Sequence, residues 1–313
     1  MRPMVILPYT RERTTPQDIA QITTHLARQD KDVRLAAFHH RSPPVVLADA
    51  VPGRTITVTL SNNGPTEIFE VLPGPKFFAP MRSKTNLLRD LQEAGIALPL
   101  SAPFDPDTPP DPDLFGPYTA IKTMRSGTSR GEGIHVFPTR RFSTLKDNLL
   151  KLYADDLRRG RPPMLQQYVP TGPNPCHTRV CTFLGAPLLC YQTVAPQPFR
   201  PEALTGIAGG EVTSNASAHR RRHLTSDEGM VHFAQNIARL YPQTSVLSID
   251  MIRCSETGKL YCVEVNLGNL CVLSAPICSG LNAALGPDAL HAQFGTYETI
   301  ARRMIETLKG ALR

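Results

Sequence analysis

Three oxygen-bearing side chains stand in two apolar segments that a turn separates. Asp250 lies in LSIDMI, Glu264 and Asn266 lie in YCVEVN, and the SETG between them is typical of a turn. If the turn is centred on those four residues, the segments pair as a β-hairpin, and Asp250 faces Glu264 or misses it by one register step. Opposed carboxylates on such a pair lie about 5 Å apart at Cβ and repel each other. They therefore require a cation, and neutralising either one is expected, if anything, to stabilise the empty hairpin.

Oxygen donors without His or Cys indicate a hard metal ion. Mg²⁺ takes one or two carboxylates and completes its octahedron with phosphate and water oxygens. By the two-residue period of a strand, Cys262, Glu264 and Asn266 share one face of the hairpin, and Val263 and Val265 point to the other. Ordinary acids of a solvated hairpin are the alternative, but these acids stand inside apolar strands. The pattern favours a metal site at Asp250, Glu264 and Asn266.

A glycine-rich run, RSGTSRGEG at residues 125–133, joins two strand-like segments. Its glycines allow backbone amides to approach a polyphosphate, and Ser129 and Arg130 offer further donors. The order strand, loop, strand differs from the strand–helix order of a Rossmann or Walker loop. Most such loops are simply turns, but Lys122 ends the preceding strand and brings an ammonium group to the same place. Together they indicate binding of a polyphosphate.

Composition limits the classes of protein that this chain can belong to. Its 313 residues, 41% hydrophobic and 19% charged, suit two or three globular units of about 100–200 residues each. No apolar run reaches the length of about 18 residues that a membrane span needs, so no membrane partner is expected. The net charge of +7 favours anionic ligands, whereas 6% aromatic residues argue against nucleic acid. Seven cysteines without CxxC spacing predict free thiols in a reducing compartment, the cytoplasm.

Strand and helix patterns alternate along the chain, so the predicted fold class is α/β, of the α+β type. Strands are predicted over residues 5–9, 33–38, 55–60, 118–122, 134–137, 164–170, 179–184 and 187–193, besides the hairpin of residues 246–252 and 260–266. Helices are predicted from Pro16, between Ser83 and Gly95, and over residues 145–157, 230–241 and 297–308.

Two segments are predicted to lack regular structure. Residues 99–117 carry seven prolines and read as a stiff surface connection. Residues 197–229 are mostly irregular and include HRRRH at 219–223, which is either a solvated basic loop or an anion-binding one. In an extended segment, Arg220 and Arg222 share a face that Arg221 opposes. A clamp on an anionic substrate would therefore use Arg220 first and Arg222 next.

Taken in order, several of these features resemble the ATP-grasp superfamily, and within it the RimK-like carboxylate–amine ligases. Each is common, but six in the right order with plausible spacing are hard to produce by chance. They are the helical segment SKTNLLRDLQEAGIALP, the lysine and loop IKTMRSGTSRGEGI, the strand LQQYV, the tetrapeptide HTRV, the TSN at 213–215 and the D…EVN hairpin. The first 80 residues resemble that family's first domain only by class.

The resemblance implies an ATP-grasp fold in three parts. Residues 1–83 would form an N-terminal α/β domain, residues 84–163 a central subdomain with the glycine-rich loop, and residues 164–313 a C-terminal subdomain with the metal site. ATP would lie between the last two. The residues matching ATP contacts are Lys84 and Lys122 at the phosphates, Ser129, Arg130 and Gly131 in the covering loop, and Gln167, Tyr168 and Val169 in the hinge that reads adenine.

The resemblance also implies a metal and a catalytic set. Asp250, Glu264 and Asn266 match ligands of one or two Mg²⁺ ions, for which Mn²⁺ could substitute. Arg179 matches an arginine near the transferred phosphate or acyl group, Asn215 matches an asparagine of the same cleft, and Arg220 is expected on the substrate side.

The departures from the family pattern fall on the acceptor side. His177 stands where the family usually has an acidic residue two before the arginine, and AHR at 218–220 replaces a glycine pair. LGN at 267–269 replaces the common proline–glycine. They weaken inference about the substrate more than inference about ATP.

The function implied is an ATP-dependent carboxylate–amine ligase that works through an acylphosphate and releases ADP and phosphate. Its substrates would be a small carboxylate and an amine, such as amino acids or short peptides, and a homodimer is compatible with it. The alternatives are an ATP-grasp kinase acting on a polyol or alcohol and, more remotely, a nucleic-acid-binding protein.

Overall fold

The computed structural model describes residues 2–40, 50–61, 71–80, 82–124, 133–210, 212–214, 219–268, 273–274 and 278–312. Its strands are β1 (Met4–Tyr9), β2 (Arg34–His39), β3 (Thr55–Val58), β4 (Lys76–Phe77), β5 (Ser101–Pro103), β6 (Tyr118–Lys122), β7 (Ile134–Pro138), β8 (Met164–Gln167), β9 (Cys176–Phe183), β10 (Ala186–Val194), β11 (Ala208–Gly209), β12 (Arg221–Leu224), β13 (Val246–Arg253) and β14 (Leu260–Leu267). Its α-helices are α1 (Pro16–Gln29), α2 (Lys84–Glu93), α3 (Pro112–Phe115), α4 (Phe142–Leu152), α5 (Ala154–Arg158), α6 (Glu228–Arg239), α7 (Ser279–Leu285), α8 (Pro287–Ala292) and α9 (Thr296–Ala311).

The N-terminal sheet is parallel, in the order β2-β1-β3-β4. Successive residues of β1 are buried on opposite faces, because Val5 and Leu7 belong to one core and Met4 and Ile6 to another. Such a continuous apolar run is typical of a parallel strand that is covered on both sides. The helix α1 begins at a capping box formed by Thr15 and Asp18, as its sequence favours.

The central sheet is antiparallel, in the order β11-β7-β6-β8-β5. Its core contains Phe104, Phe137 and Phe142. The predicted connection at residues 99–117 is not without elements, because it contains β5 and α3. Both accept proline where it costs little: Pro103 ends an edge strand, and Pro112 is the first residue of a helix.

The C-terminal sheet is antiparallel, in the order β12-β10-β9-β13-β14. Val180, Ile249 and Met251 pack with α6 on one side. The described part of residues 197–229 is mostly irregular, as predicted, but it also contains the short strands β11 and β12, and Arg222 of β12 pairs with Thr193 of β10. The run RRHL has no alternation of apolar and polar residues, so its pairing comes from the neighbouring strand.

The connections between sheets bear on the predicted units. The strand β8 pairs with β5 and β6, although the predicted boundary at 163/164 assigns it to the last unit. The helix α2 buries Leu87 and Leu91 in the core of the C-terminal sheet. The division into residues 1–83, 84–163 and 164–313 stays a prediction. No helix in the described ranges combines the length and the apolar character needed to cross a membrane.

Candidate functional site

A cavity of about 610 Å³ lies between the central and C-terminal sheets. Every predicted site residue that the structure describes lines this cavity: Lys84, Lys122, Gln167, Tyr168, Val169, Arg179, Arg220, Asp250, Glu264 and Asn266. The predicted residues Ser129, Arg130, Gly131 and Asn215 lie outside the described residues. Elements far apart in the chain thus deliver the predicted side chains to one place.

The hairpin of β13 and β14 sets the cavity's acidic wall. Asp250 pairs with Glu264, which confirms the predicted register. A β-bulge follows, because Met251 pairs with Cys262 and leaves Val263 as an extra residue. The bulge shifts the two-residue period, so Cys262 is buried in the core with Val265 and does not share the face of Glu264, contrary to the prediction.

Asp250 forms a buried ion pair with Arg179, which lies opposite it on β9. Arg179 Nε donates to Asp250 Oδ1 and Arg179 Nη2 donates to Oδ2, both at 2.6 Å. The side chains are 18% and 9% exposed. Burial alone would raise the pKa of Asp250, but the Arg179 guanidinium outweighs it and holds that pKa below its ordinary value. The carboxylate is therefore ionised at neutral pH.

Glu264 has its own cation at a more exposed contact. Lys84 Nζ lies 2.8 Å from Glu264 Oε1, and the side chains are 39% and 32% exposed. The predicted need for a compensating cation is met within the protein: Arg179 compensates Asp250, and Lys84 compensates Glu264. The expectation that neutralising either carboxylate would stabilise the empty hairpin therefore does not hold for Asp250. The sequence pattern of the hairpin cannot show this, because both cations come from other elements. Neutralising Asp250 should consequently cost stability.

The oxygen donors of the hairpin fit a hard cation. Two carboxylates and one amide, from Asp250, Glu264 and Asn266, line the same wall, and Asn266 Nδ2 donates to Asp250 Oδ2 at 3.4 Å. Within the described ranges, no cluster of three or more His, Cys, Asp or Glu residues could hold a metal ion. A set with only two carboxylates suits Mg²⁺ in particular, because this ion is usually completed by phosphate oxygens and water.

Lys122 faces the hairpin from the end of β6. Its Nζ donates to Gln166 Oε1 at 3.4 Å, and Gln166 Nε2 donates in turn to Ser101 Oγ at 3.0 Å. Burial lowers the pKa of Lys122, and nearby Glu264 only partly opposes this. No described carboxylate lies within ion-pair distance of this ammonium, so an anionic ligand would relieve its desolvation.

The hinge strand leaves one of its three predicted N–H groups for a ligand. Gln167 N donates to Leu100 O at 2.8 Å, and Tyr168 N donates to Tyr118 O at 3.2 Å. The N–H of Val169 makes no hydrogen bond with any described residue. Both Tyr168 and Val169 line the cavity.

Within the cavity, His177 lies between the hydroxyl of Ser214 and the carboxylate of Asp250. Its Nδ1 is 2.6 Å from Ser214 Oγ, and its Nε2 is 3.8 Å from Asp250 Oδ1. Burial lowers the pKa of His177 to about 4, and the adjacent Asp250 opposes the shift without reversing it. The imidazole is therefore neutral at neutral pH. Ser214 stands in the TSN segment, but nothing in the sequence pattern indicated its contact with His177.

The basic segment places two of its arginines in the cavity. Arg220 and Arg222 are half-buried and line the cavity, whereas Arg221 is exposed and does not. This confirms that Arg220 and Arg222 share a face. Arg222 and its neighbours in β12 are part of a sheet, so this segment is not a solvated loop throughout.

The six cysteines within the described ranges are free thiols, as expected for those positions. Of these, Cys176 lines the cavity beside His177.

Comparison with known proteins identifies the fold. No protein-family model and no curated protein matches the chain. The crystal structure of D-alanine–D-alanine ligase from Bacillus anthracis does match, with 14% identity and a TM-score of 0.51, over 100% of this chain and 99% of that one.

Two further ATP-grasp ligase structures match similarly. The ATP-grasp ligase PsnB, complexed with minimal precursor, Mg and ADP, is 11% identical with a TM-score of 0.55, over 98% of each chain. A Chryseobacterium gregarium RiPP-associated ATP-grasp ligase, in complex with ADP and a leader and core peptide, is 10% identical with a TM-score of 0.54, over 98% of this chain and 97% of that one. The chain therefore has the ATP-grasp fold, which confirms the predicted fold class.

Proposed function

We propose that this protein is an ATP-dependent carboxylate–amine ligase, which forms an amide bond through an acylphosphate and releases ADP and phosphate. One observation carries the proposal: a single cavity joins the Asp250–Glu264 wall, the half-buried Lys122 and the hinge at Val169. This arrangement supports binding of a metal at the wall, a polyphosphate at Lys122 and a base at the hinge. The matching ATP-grasp structures, among them ligases complexed with ADP, support this reading.

ATP would be held from both sheets. The N–H of Val169 is the donor available for adenine, and Lys122 would approach the phosphates. Glu264 can exchange its partner, because its contact with Lys84 is exposed and such pairs contribute only about 0–1 kcal/mol. Lys84 would then turn to the phosphates while Asp250, Glu264 and Asn266 hold the metal. Bound Mg²⁺, one ion or two, would supply neutralisation of phosphate charge, and Mn²⁺ could replace it.

The first chemical step joins the substrate carboxylate to phosphorus. A carboxylate oxygen attacks the γ-phosphorus of ATP, the bond from that phosphorus to the bridging oxygen breaks, and ADP leaves. Catalysis of this step consists mainly of positioning and charge neutralisation. Arg179 suits this role, because Asp250 fixes its guanidinium through Nε and one terminal nitrogen and leaves the other N–H groups available.

The second step forms the amide bond. A neutral amine attacks the acyl carbon, the bond from that carbon to the phosphate oxygen breaks, and the departing phosphate takes up the proton that the amine nitrogen loses. The cations of the cavity disfavour an ammonium ion there, and the neutral imidazole of His177 adds no further positive charge. Asn215, through the family resemblance, and Arg220, through its place in the cavity, are proposed as substrate-side residues. Amino acids and short peptides are the proposed substrates, since PsnB has been solved with a precursor peptide and the RiPP-associated ligase with a leader and core peptide.

The test is a screen of carboxylates and amines, singly and in pairs, scored for phosphate release and product mass. A ligase requires both a carboxylate and an amine. ADP formation with an alcohol alone, without free phosphate, would identify a kinase instead. Replacing Mg²⁺ by Mn²⁺ in the same screen tests the metal. An ATP-consuming enzyme with free thiols also suits the proposed cytoplasmic location, and sedimentation would show whether it is a homodimer.

A further inference from the structure

The strand register places the two cavity arginines at the far edge of the C-terminal sheet. Tyr191, Arg179, Asp250 and Glu264 are directly paired across four strands and form one row. Arg222, Thr193 and His177 are paired in the neighbouring row. At a strand spacing of about 4.8 Å, β12 lies about 14 Å from β13, which carries Asp250. The arginines of the basic segment are thus close to the reacting end of the cavity but separate from its metal ligands.

The charges of the cavity are unequal. Among the described residues, five lysine and arginine side chains line it, against two carboxylates. Arg179 and Lys84 already compensate Asp250 and Glu264. The edge of the cavity at Arg220 and Arg222, here called the basic edge, contains no described Asp or Glu. Arg220 and Arg222 both lie close enough to His177 to lower its pKa.

Arg222 also has a buried donor that needs an acceptor. Its Nε is buried and makes no hydrogen bond with any described residue. A guanidinium that is half withdrawn from water, with an unsatisfied N–H, is costly unless a ligand supplies an oxygen atom. A carboxylate meets this need in shape and charge, because it accepts parallel hydrogen bonds from a guanidinium.

ATP is not the anion that this edge would bind. In the proposed binding mode, its base lies at the hinge of β8 and its phosphates lie between Lys122 on β6 and the wall of β13 and β14. The basic edge is on the other side of β9 and β10. A substrate whose reacting carboxylate is next to Arg179 would extend along the sheet past His177 towards Arg222.

We propose that the carboxylate substrate has a second, non-reacting carboxylate, which Arg220 and Arg222 bind. This inference rests on the proposed ligase function and names its substrate class: dicarboxylic acids, either free small molecules or short peptides that carry two carboxylates. The second carboxylate fixes which end of the substrate reaches Arg179. Dicarboxylates are therefore selected over acids of the same length that carry one charge.

The experiment compares matched acids that differ in one charge. Glutamate is paired with glutamine, succinate with succinamate, and a short peptide containing glutamate with its glutamine analogue. Hydroxylamine replaces the amine, so that any acylphosphate is trapped as a hydroxamate whatever the natural amine is. We expect wild-type protein to prefer the doubly charged member of a pair at least about tenfold in kcat/KM. The peptide pair distinguishes free acids from peptides.

Three variants locate the effect. Arg222→Met and Arg220→Met should reduce the preference for the second charge towards unity and leave the KM for ATP nearly unchanged. Arg221→Met is the matched control, because Arg221 is exposed and lies outside the cavity. Circular dichroism checks that each variant is folded. Equal use of both members of every pair by wild-type protein, or a preference that survives in Arg222→Met, overturns the proposal.

Binding measurements distinguish a failure of the proposed carboxylate subsite from a failure of the proposed ligase function. If no acid yields a hydroxamate, the proposed ligase is refuted, and calorimetric titration with the same acids then decides the subsite. Tighter binding of the doubly charged acid by wild-type protein and Arg221→Met, but not by Arg222→Met, supports the subsite. Equal affinities overturn it.

Discussion

Asp250→Asn and Glu264→Gln should both abolish ligase activity, yet only the first should strongly lower the free energy of unfolding. Asp250 is 9% exposed and holds a buried guanidinium through two bonds of 2.6 Å. Removing one partner of a buried ion pair costs about 3–5 kcal/mol, because the remaining charge stays buried without compensation. Asparagine keeps one acceptor oxygen for Arg179, so the lower end of that range, about 3 kcal/mol, is expected.

Glu264→Gln breaks a contact of a different kind. Glu264 and Lys84 are 32% and 39% exposed, and water can solvate Lys84 once its partner is neutral. Exposed pairs contribute about 0–1 kcal/mol, so the two variants should differ by about 2 kcal/mol or more. Urea unfolding of the ligand-free proteins at neutral pH measures the difference, provided that the slope with denaturant is unchanged.

A double-mutant cycle controls for local disruption. Arg179→Met alone leaves Asp250 buried without its cation, whereas Asp250→Asn combined with Arg179→Met leaves no uncompensated charge. The double variant should therefore be more stable than the sum of the single effects predicts. If the unfolding free energies of Asp250→Asn and Glu264→Gln differ by less than about 0.5 kcal/mol, the Arg179–Asp250 contact does not stabilise the fold and the prediction is wrong.

Three further outcomes are expected. Lys122→Met should weaken ATP binding in calorimetry but preserve or raise apo stability, because burial already disfavours the ammonium; unchanged ATP affinity would make Lys122 a structural residue. The protein should lose stability as pH falls from 6.5 towards about 4. In this range His177 is protonated in the unfolded chain but stays neutral in the folded protein, where its pKa is about 4. His177→Gln should flatten this dependence between pH 6.5 and 5, and an unaltered slope would contradict the assignment. Asp18→Asn should lower the unfolding free energy by about 1–3 kcal/mol, since the buried carboxylate accepts hydrogen bonds from Thr15, Ser274 and Tyr297; a melting temperature equal to that of the wild type would disprove it.

Local patterns predicted the parts of the site that a short stretch of chain determines. The pairing of Asp250 with Glu264 follows from one turn between two strands, so the sequence indicates its register directly. The bulge at Val263 does not follow, because valine suits either face of a strand. The contact of Arg179 with Asp250 joins residues 71 positions apart, and no local pattern specifies how β9 and β13 align.

Edge strands escaped prediction for a related reason. The strand β12 reads RRHL and has no apolar face of its own, and β5 ends in proline. Each is held by backbone hydrogen bonds to a longer neighbour, which the pattern of its own side chains cannot indicate. The consequence for function is larger at β12, since its pairing aligns Arg222 with the cavity.

The Arg179–Asp250 pair also affects how activity can be judged in related chains. Because each side chain compensates the other inside the fold, a chain that no longer catalyses anything would still lose stability on exchanging either one. Retention of both is therefore no proof of catalysis. Glu264 is expected to be under a weaker structural constraint, because its contact with Lys84 is partly exposed and such pairs contribute only about 0–1 kcal/mol. In related chains that are no longer under selection for ligase activity, Glu264 would be replaced before Arg179 or Asp250. Its presence is therefore the better marker of a working enzyme.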